Sequence, residues 1–281
     1  MRGVCTPLLF LYNHSMGKLG VVYFADVSKI EDNVAHLLEH CITTQLYERL
    51  RHDNLDLFDC YSTTTPSNII FDITAYGNAV ADAIAGIMNS LEPMPASRID
   101  AEINRIELED DLPLHANDLE KVRGIINSQI AHIHFDTASS INEIPEQKDG
   151  LIKPDNSLLV YSLGAREWTL SILLPDNTDD MLVDIINCLA GRFLRCEDIY
   201  ALHYEVVNGR VDYSFRTSKL TEQSDLDRRW QNVVKDFIAG GLDVVLGNIN
   251  VSGDIATKIR RAINSLTVSI APASAISSQA R

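Results

Sequence analysis

A short segment near residue 40 combines the residue types and the spacing of a metal-dependent hydrolase. His36, Glu39 and His40 form the pattern H-x-x-E-H. On an α-helix, residues four apart lie on the same side, so both imidazoles can reach one metal ion. Glu39 lies next to that side, where its carboxylate can take a proton from a water molecule that the metal polarises. The pattern therefore predicts His36 and His40 as metal ligands and Glu39 as the catalytic base.

The residues around the pattern predict the helix that it requires. An apolar stripe with helical spacing is formed by Ile30, Val34, Leu37, Leu38, Cys41 and Ile42. At about 100° per residue, His36 and His40 fall on the opposite side of this helix, with Glu39 at the margin. A His-Glu-His cluster by itself is more often a solvated polar face. The complete motif, together with the acidic helix described next, favours a metal site.

A later acidic segment offers the third protein ligand that such a site needs. Residues 99–110 are predicted to form a helix capped by Ser97, with Glu102 and Glu109 two turns apart on one side. We expect Glu109 to be the third ligand and Glu102 to orient a ligating histidine from outside the metal. Glu107 falls on the other flank and is less favourably placed. The predicted cofactor is one Zn²⁺ per chain, with Mn²⁺ as the alternative metal, and an acidic solvent-facing helix is the other interpretation.

The pattern of apolar periods and turn residues predicts an α+β protein made of two similar units, within residues 1–140 and 155–281. A polar segment at 136–156 is predicted to link them. In the first unit the expected strands are 6–12, 19–24 and 68–76, and the expected helices are 28–51, 78–91, 98–110 and 115–133. In the second unit we expect strands at 158–162, 168–174, 202–216 and 242–251, helices at 179–193 and 222–239, and a disordered tail from about Ser269.

The composition argues against several classes of partner. The chain has 281 residues, enough for two cores, and its net charge of −15 opposes binding to the phosphates of nucleic acids. The longest early apolar run, residues 7–12, is too short to span a bilayer, so no membrane association is expected. The five cysteines are scattered and include no C-x-x-C pair, which is typical of reduced thiols. We therefore expect a cytoplasmic protein.

The motif residues resemble the pitrilysin/insulinase family of zinc metallopeptidases, which includes the mitochondrial processing peptidases. That family carries H-x-x-E-H followed by glutamates in an E-x6-E pattern on a later helix. Here His36, Glu39 and His40 are followed by Glu102 and Glu109. The resemblance implies a pitrilysin-like fold of two related units and a zinc endopeptidase that cleaves short or unfolded peptides.

The resemblance also implies residues that contact the substrate. Phe58 to Thr63 is similar to the family's Asn-Ala-x-Thr segment, with Asp59 where Asn is common, and it leads into the strand at 68–76. In the family this strand is a sheet edge to which the substrate adds as an extra strand. Asp59, Ile69 and Phe71 are therefore expected to lie at the substrate.

One departure from the family pattern implies a partner subunit. Family members pair a substrate-binding tyrosine, here Tyr204, with an arginine seven positions earlier, but this chain has Glu197 there, and only a shifted alignment would bring in Arg192 or Arg195. Because some relatives are two-chain enzymes that share this pair, we expect a related partner subunit or a homodimer. By analogy, the substrate would be a ribosomally made precursor peptide. The alternatives are a non-catalytic scaffold of the same fold and a peptide-binding protein in which the motif is accidental.

Overall fold

A computed structural model gives the architecture of the chain. It describes residues 11–13, 17–110, 115–116, 119–144, 159–160, 165–175, 178, 180–196, 198–207, 209–218, 220–249, 251 and 253–273. The predicted strands at 6–12 and 158–162 and the predicted linker at 136–156 lie mostly outside these residues. None of the helices in the described ranges combines the length and the apolar character needed to cross a bilayer.

The elements follow one another in two groups. The first contains β1 (Leu11–Asn13), β2 (Lys18–Asp26), α1 (Asp32–His52), β3 (Phe58–Thr64), β4 (Asn68–Tyr76), α2 (Asn78–Met88), α3 (Ala96–Asp110), β5 (His115–Ala116), α4 (Leu119–His132) and β6 (Asp136–Ala138). The second contains β7 (Leu159–Val160), β8 (Ala165–Leu173), α5 (Asp180–Leu194), β9 (Ile199–Val207), β10 (Arg210–Ser218), α6 (Gln223–Asp236), α7 (Leu242–Asn248), α8 (Gly253–Asn264) and β11 (Thr267–Pro272).

The first unit is an antiparallel sheet packed against helices. The strand order is β1-β2-β4-β3, and β6 also pairs with β2. β2 and β4 pair along their whole length, from Lys18 opposite Tyr76 to Asp26 opposite Asn68. β4 therefore lies inside the sheet, and β3 forms its edge in the part of the chain that the structure describes. The prediction that β4 is the sheet edge is wrong.

The second unit repeats this plan with a four-stranded antiparallel sheet in the order β11-β8-β10-β9. Its core holds the fully buried Trp168, Phe193 and Phe215, and the Trp168 indole donates a hydrogen bond of 2.9 Å to the Thr217 hydroxyl. β9 forms one edge of the described sheet. The predicted α+β class, with two similar units that each pack a sheet against helices, is confirmed.

The end of the chain differs from its prediction. Residues 242–251 were expected to be a strand, but Leu242, Val245 and Leu246 are buried at helical spacing in α7. The tail was expected to be disordered from about Ser269, but β11 pairs with β8 as far as Pro272, and Ile270 is buried. A short segment that gains its stability from a neighbouring strand carries little local signal, which explains this error.

The helix starts also differ slightly. α1 begins at Asp32 with Glu31 at the N-cap position, and the Ser28 backbone N–H donates to the Asp26 carboxylate in the turn before it. Ser97 was predicted as a cap but lies within α3. These shifts leave the motif well inside α1, so they do not affect the site.

A buried ion pair joins the two units. The Arg192 guanidinium of α5 donates to both Asp56 carboxylate oxygens, at 2.5 and 2.8 Å, and to the Asn54 side chain at 3.1 Å. It also lies over the Phe237 ring. A β-carbon at Gly241 would come within 2.6 Å of this guanidinium, so the absence of a side chain there leaves room for it. Arg192 therefore has a structural role between the units.

Replacing Arg192 with Ala should lower the free energy of unfolding by about 3–5 kcal/mol, because it leaves the Asp56 carboxylate buried without its partner. Urea unfolding followed by circular dichroism measures the change. Arg228→Ala is the control, since Arg228 is exposed and pairs with exposed Asp225, and its effect should stay within about 0.5 kcal/mol. Equal effects of the two substitutions would contradict this role for Arg192.

Candidate metal centre

Helix α1 presents His36, Glu39 and His40 on one side. Each offers a ligand atom within 4.8 Å of the others, and the two imidazole rings meet edge to face with centroids 4.9 Å apart. Glu39 and His40 are buried. Leu38 and Ile42 anchor the other side of the helix in the core of the first unit. The apolar stripe thus sets the direction in which the histidines point.

Helix α3 brings Glu109 to the same place. The Glu109 Oε2 atom lies 3.2 Å from His36 Nε2 and 3.1 Å from His40 Nε2. The last turn of α3, which carries Glu109, is held by the second unit: Arg216 of β10 donates to the Glu109 carbonyl at 2.6 Å and to the Leu108 carbonyl at 3.3 Å. Arg216 thereby satisfies carbonyl groups that a helix end leaves without intrahelical partners.

These distances fit a small divalent cation. Two ligands at 2.0–2.2 Å from a tetrahedral Zn²⁺ are about 3.3–3.5 Å apart. Glu109 Oε2 is separated from both imidazole nitrogens by close to this distance, whereas Glu39 Oε2 is 4.0 Å from His36 Nε2. A group of two imidazoles and one carboxylate also matches the donors that zinc prefers. The three residues fit the ion, and Glu39 is left beside them.

Glu102 lies behind His40, where it can select the tautomer that ligation requires. Its Oε1 atom accepts a hydrogen bond of 2.7 Å from the Thr44 hydroxyl, and its Oε2 atom is 3.5 Å from His40 Nδ1. That buried Oε2 has no hydrogen-bond partner among the described residues. A carboxylate facing Nδ1 favours a proton on that nitrogen, so Nε2, on the side of Glu109, would be the nitrogen that binds a metal once His40 loses its second proton.

The carboxylates around His40 favour its protonated form. Burial by itself would lower the pKa of His40, but Glu102, Glu109 and the nearby Glu39 overcome it and raise the pKa to about 9. Burial would likewise raise the pKa of Glu109, but the two histidines hold it well below its ordinary range. Without a metal, a proton on His40 partly balances the carboxylates. A bound cation would take over this role.

Two residues near the site were not in the predicted set. The Tyr200 ring stacks on the His40 imidazole with centroids 6.1 Å apart, and burial together with Glu109 raises the pKa of its hydroxyl. Arg195 lies over the Tyr47 ring at 4.1 Å and lines the same small polar pocket, of about 90 Å³, as His40 and Tyr200. Tyr200 was missed because the strand that carries it, β9, begins at Ile199, whereas the sequence predicts its start at 202.

A larger cleft of about 480 Å³ lies next to the polar pocket, and the two share Arg195 and Ala201. Residues of β3 and β9, each at one edge of its sheet as far as the structure describes it, line the cleft and include Asp59 and Tyr204. Tyr204 is about half exposed, with 52% of its surface accessible. Both residues thus lie in the cleft rather than at the metal ligands.

Ile69 and Phe71, the other two residues predicted to contact substrate, lie elsewhere. Both are fully buried in the core of the first unit, on the interior strand β4. They cannot meet a peptide without unfolding the sheet, so their prediction is wrong. The error follows from assigning the free edge to β4 instead of β3.

Comparisons with known proteins do not assign the chain to a family. No family model and no curated protein matches it. A similar solved structure is a mutant of the ferredoxin protease FusC in complex with Arabidopsis ferredoxin, with 9% identity and a TM-score of 0.25 over 80% of this chain and 34% of that one. Another is a protease from Helicobacter pylori, with 10% identity and a TM-score of 0.28 over 92% of this chain and 90% of that one. This chain spans about a third of the FusC chain, and neither likeness bears on its activity.

The metal-free protein should lose stability as the pH rises from about 6.5 to about 9. The folded pKa of His40, about 9, lies above its ordinary value of 6.5, so the stabilisation is fully present below pH 6.5 and is lost as His40 deprotonates. We expect a loss of roughly 1–3 kcal/mol, measured by urea unfolding after treatment with a chelator. In a His40→Asn variant, the decrease of the free energy of unfolding between pH 6.5 and 9 should vanish. Glu109 does not contribute to it, because its pKa lies far below this pH range. An unchanged slope in the variant would contradict the assignment.

Proposed function

We propose that this protein is a zinc-dependent endopeptidase that cleaves short or unfolded peptides. The observation that supports it best is the position of Glu109 Oε2, 3.2 Å from His36 Nε2 and 3.1 Å from His40 Nε2, which are separations close to those of ligands on a tetrahedral ion. The resemblance of the motif residues to the pitrilysin/insulinase family supports the same chemistry. One zinc ion per chain would be held by these three residues.

In the proposed reaction, the side chains around the site divide the work of hydrolysis. When bound, zinc supplies a Lewis acid that lowers the pKa of water and polarises the scissile carbonyl. Glu39 accepts the proton of the attacking water and later delivers it to the leaving amine. The Thr43 hydroxyl donates to the Glu39 carboxylate at 3.3 Å, which holds it in position. Glu102 keeps the His40 Nε2 lone pair available.

The substrate would lie as an extended strand in the cleft between β3 and β9. A peptide can add to the β3 edge through backbone hydrogen bonds, which give affinity without a strict sequence requirement. Ser62 of β3 lines the small polar pocket beside His40, while Asp59 of the same strand lines the cleft. A peptide that pairs with β3 would therefore run from the cleft to the metal. The proposed substrates are unfolded segments, such as ribosomally made precursor peptides.

A partner subunit is not required by this proposal. It was expected because Glu197 stands where the family has an arginine paired with its tyrosine. Arg195 and Tyr200 of the same chain both line the metal pocket. Arg192, the other arginine considered, is buried in its pair with Asp56. The proposed activity can therefore be tested on the single chain.

Purified protein should contain close to one zinc per chain, measured by inductively coupled plasma mass spectrometry. His36→Ala and Glu109→Gln should each reduce this content at least tenfold at submicromolar free zinc, because each removes one of three protein ligands. His52→Ala is the matched control, since His52 is exposed on the same helix, and it should retain zinc. Zinc-free protein, or equal loss in the control, would favour a non-catalytic scaffold.

Glu39→Gln should keep its zinc and lose peptidase activity by a factor of about 10²–10⁴, because an amide cannot accept the proton of water. Cleavage of a library of unstructured peptides, followed by mass spectrometry, measures the rate. Glu120→Gln on α4 is a control with the same change of charge at an exposed position. If Glu39→Gln cleaves as fast as the unmodified protein, Glu39 is not the base.

A further inference from the structure

A second large cavity, of about 530 Å³, lies where the two units meet. Its walls come from α1 and α3 of the first unit and from the α5–β9 connection and α6 of the second. It shares Arg51 and Arg195 with the cleft proposed for peptides, but its other described lining residues, none of them from β3, do not line that cleft. Five arginines line it: Arg51, Arg98, Arg105, Arg195 and Arg229. We call it the arginine cavity.

The arginine cavity is positive although the protein as a whole carries a net charge of −15. Its described lining also contains three carboxylates, Glu48, Glu102 and Asp198. Five guanidinium groups against three carboxylates leave an excess of two positive charges. A local excess of this kind in a cleft between two units attracts small anions.

The ion pairs within the cavity account for three of the five arginines. Arg98 pairs with Glu48 at 2.9 Å, Arg229 pairs with Asp198, and Arg105 is 3.5 Å from Glu102. Each of these three pairs joins two residues of the same unit.

The other two guanidinium groups have no carboxylate within hydrogen-bond distance among the described residues. Arg51 donates to the Gly191 backbone carbonyl at 3.3 Å, and Arg195 stacks on the Tyr47 ring. Because a guanidinium has five N–H donors, both keep donors for a ligand. The excess charge therefore belongs to side chains that come from both units.

Repulsion acts across the boundary between the units. Burial lowers the pKa of Arg105, and the positive charge of the nearby Arg195 lowers it further. Glu102 acts in the opposite direction but does not outweigh them. Arg105 belongs to α3 of the first unit and Arg195 follows α5 of the second. An anion placed between such groups would replace this repulsion with two attractions and would stabilise the contact of the units.

We propose that the arginine cavity binds a free oxyanion of the phosphate class, held by arginines from both units. Guanidinium groups bind phosphate through paired, charge-assisted hydrogen bonds. A phosphate has four oxygens and can engage several arginines that converge from different directions, whereas a single carboxylate offers two. The inference goes beyond peptide hydrolysis and does not depend on it.

Isothermal titration calorimetry of the full chain with inorganic phosphate, at constant ionic strength, tests the proposal. We expect saturable binding of one phosphate per chain. Arg229→Gln should weaken it at least about tenfold, because it removes a positive charge from the cavity lining and leaves the Asp198 carboxylate there without its partner. Arg228→Gln, a neighbouring exposed arginine outside the cavity, should change the affinity less than about twofold.

Asp198→Asn distinguishes an effect of the cavity's charge on phosphate binding from the structural effect of losing the ion pair between Arg229 and Asp198. It breaks the same ion pair as Arg229→Gln but removes negative charge, so phosphate should bind about two- to fivefold more tightly. If both variants weaken binding equally, the ion pair is merely structural and the proposal is wrong. Absence of saturable binding, or binding lost in His36→Ala but kept in Arg229→Gln, would also overturn it. Should Arg229→Gln fail to fold by circular dichroism, Arg98→Gln takes its place with the same expectation.

Discussion

The central constraint in this protein is the close approach of several carboxylates in a mostly buried place. Glu39, Glu102 and Glu109 all act on His40 and raise its pKa, so a positive charge among these groups is stabilising. A proton on His40 can supply part of the charge, and a divalent ion can supply more. The packing of α1 against α3, fixed in part by the buried bond between Thr44 and Glu102, is what brings these groups together.

The second unit completes the site although it contributes none of the three candidate ligands. Arg216 holds the last turn of α3, from which Glu109 projects, and Tyr200 stacks on the His40 ring. The pair between Arg192 and Asp56 keeps the units in register. The geometry of the candidate metal centre therefore depends on both units, and a change at their contact would reach Glu109 through α3.

The charge on either side of Glu102 and Arg105 differs in sign. Together with Arg195, these two residues line both the small polar pocket and the arginine cavity. Carboxylates surround the histidines on one side, and guanidinium groups predominate on the other. The two cavities suit ligands of opposite charge although they share part of a wall.

The sequence by itself determined the elements that depend on local periodicity. The apolar stripe and H-x-x-E-H placed the motif on a helix, the spacing of Glu102 and Glu109 placed them on one side of another, and alternation gave the strand Asn68–Tyr76 its observed bounds. These signals are local because side-chain direction in a helix or strand follows from the backbone repeat.

Only the tertiary structure decided which strand is a sheet edge and which tyrosine meets the histidines. β4 is interior because β2 pairs with it on one side and β3 on the other. On β9, Tyr200 stacks on His40, whereas Tyr204 lies farther along the strand and lines the cleft. Residues 242–248 became a helix and β11 a strand through packing against distant neighbours. Such outcomes depend on contacts between residues far apart in the chain, and no local pattern carries that information.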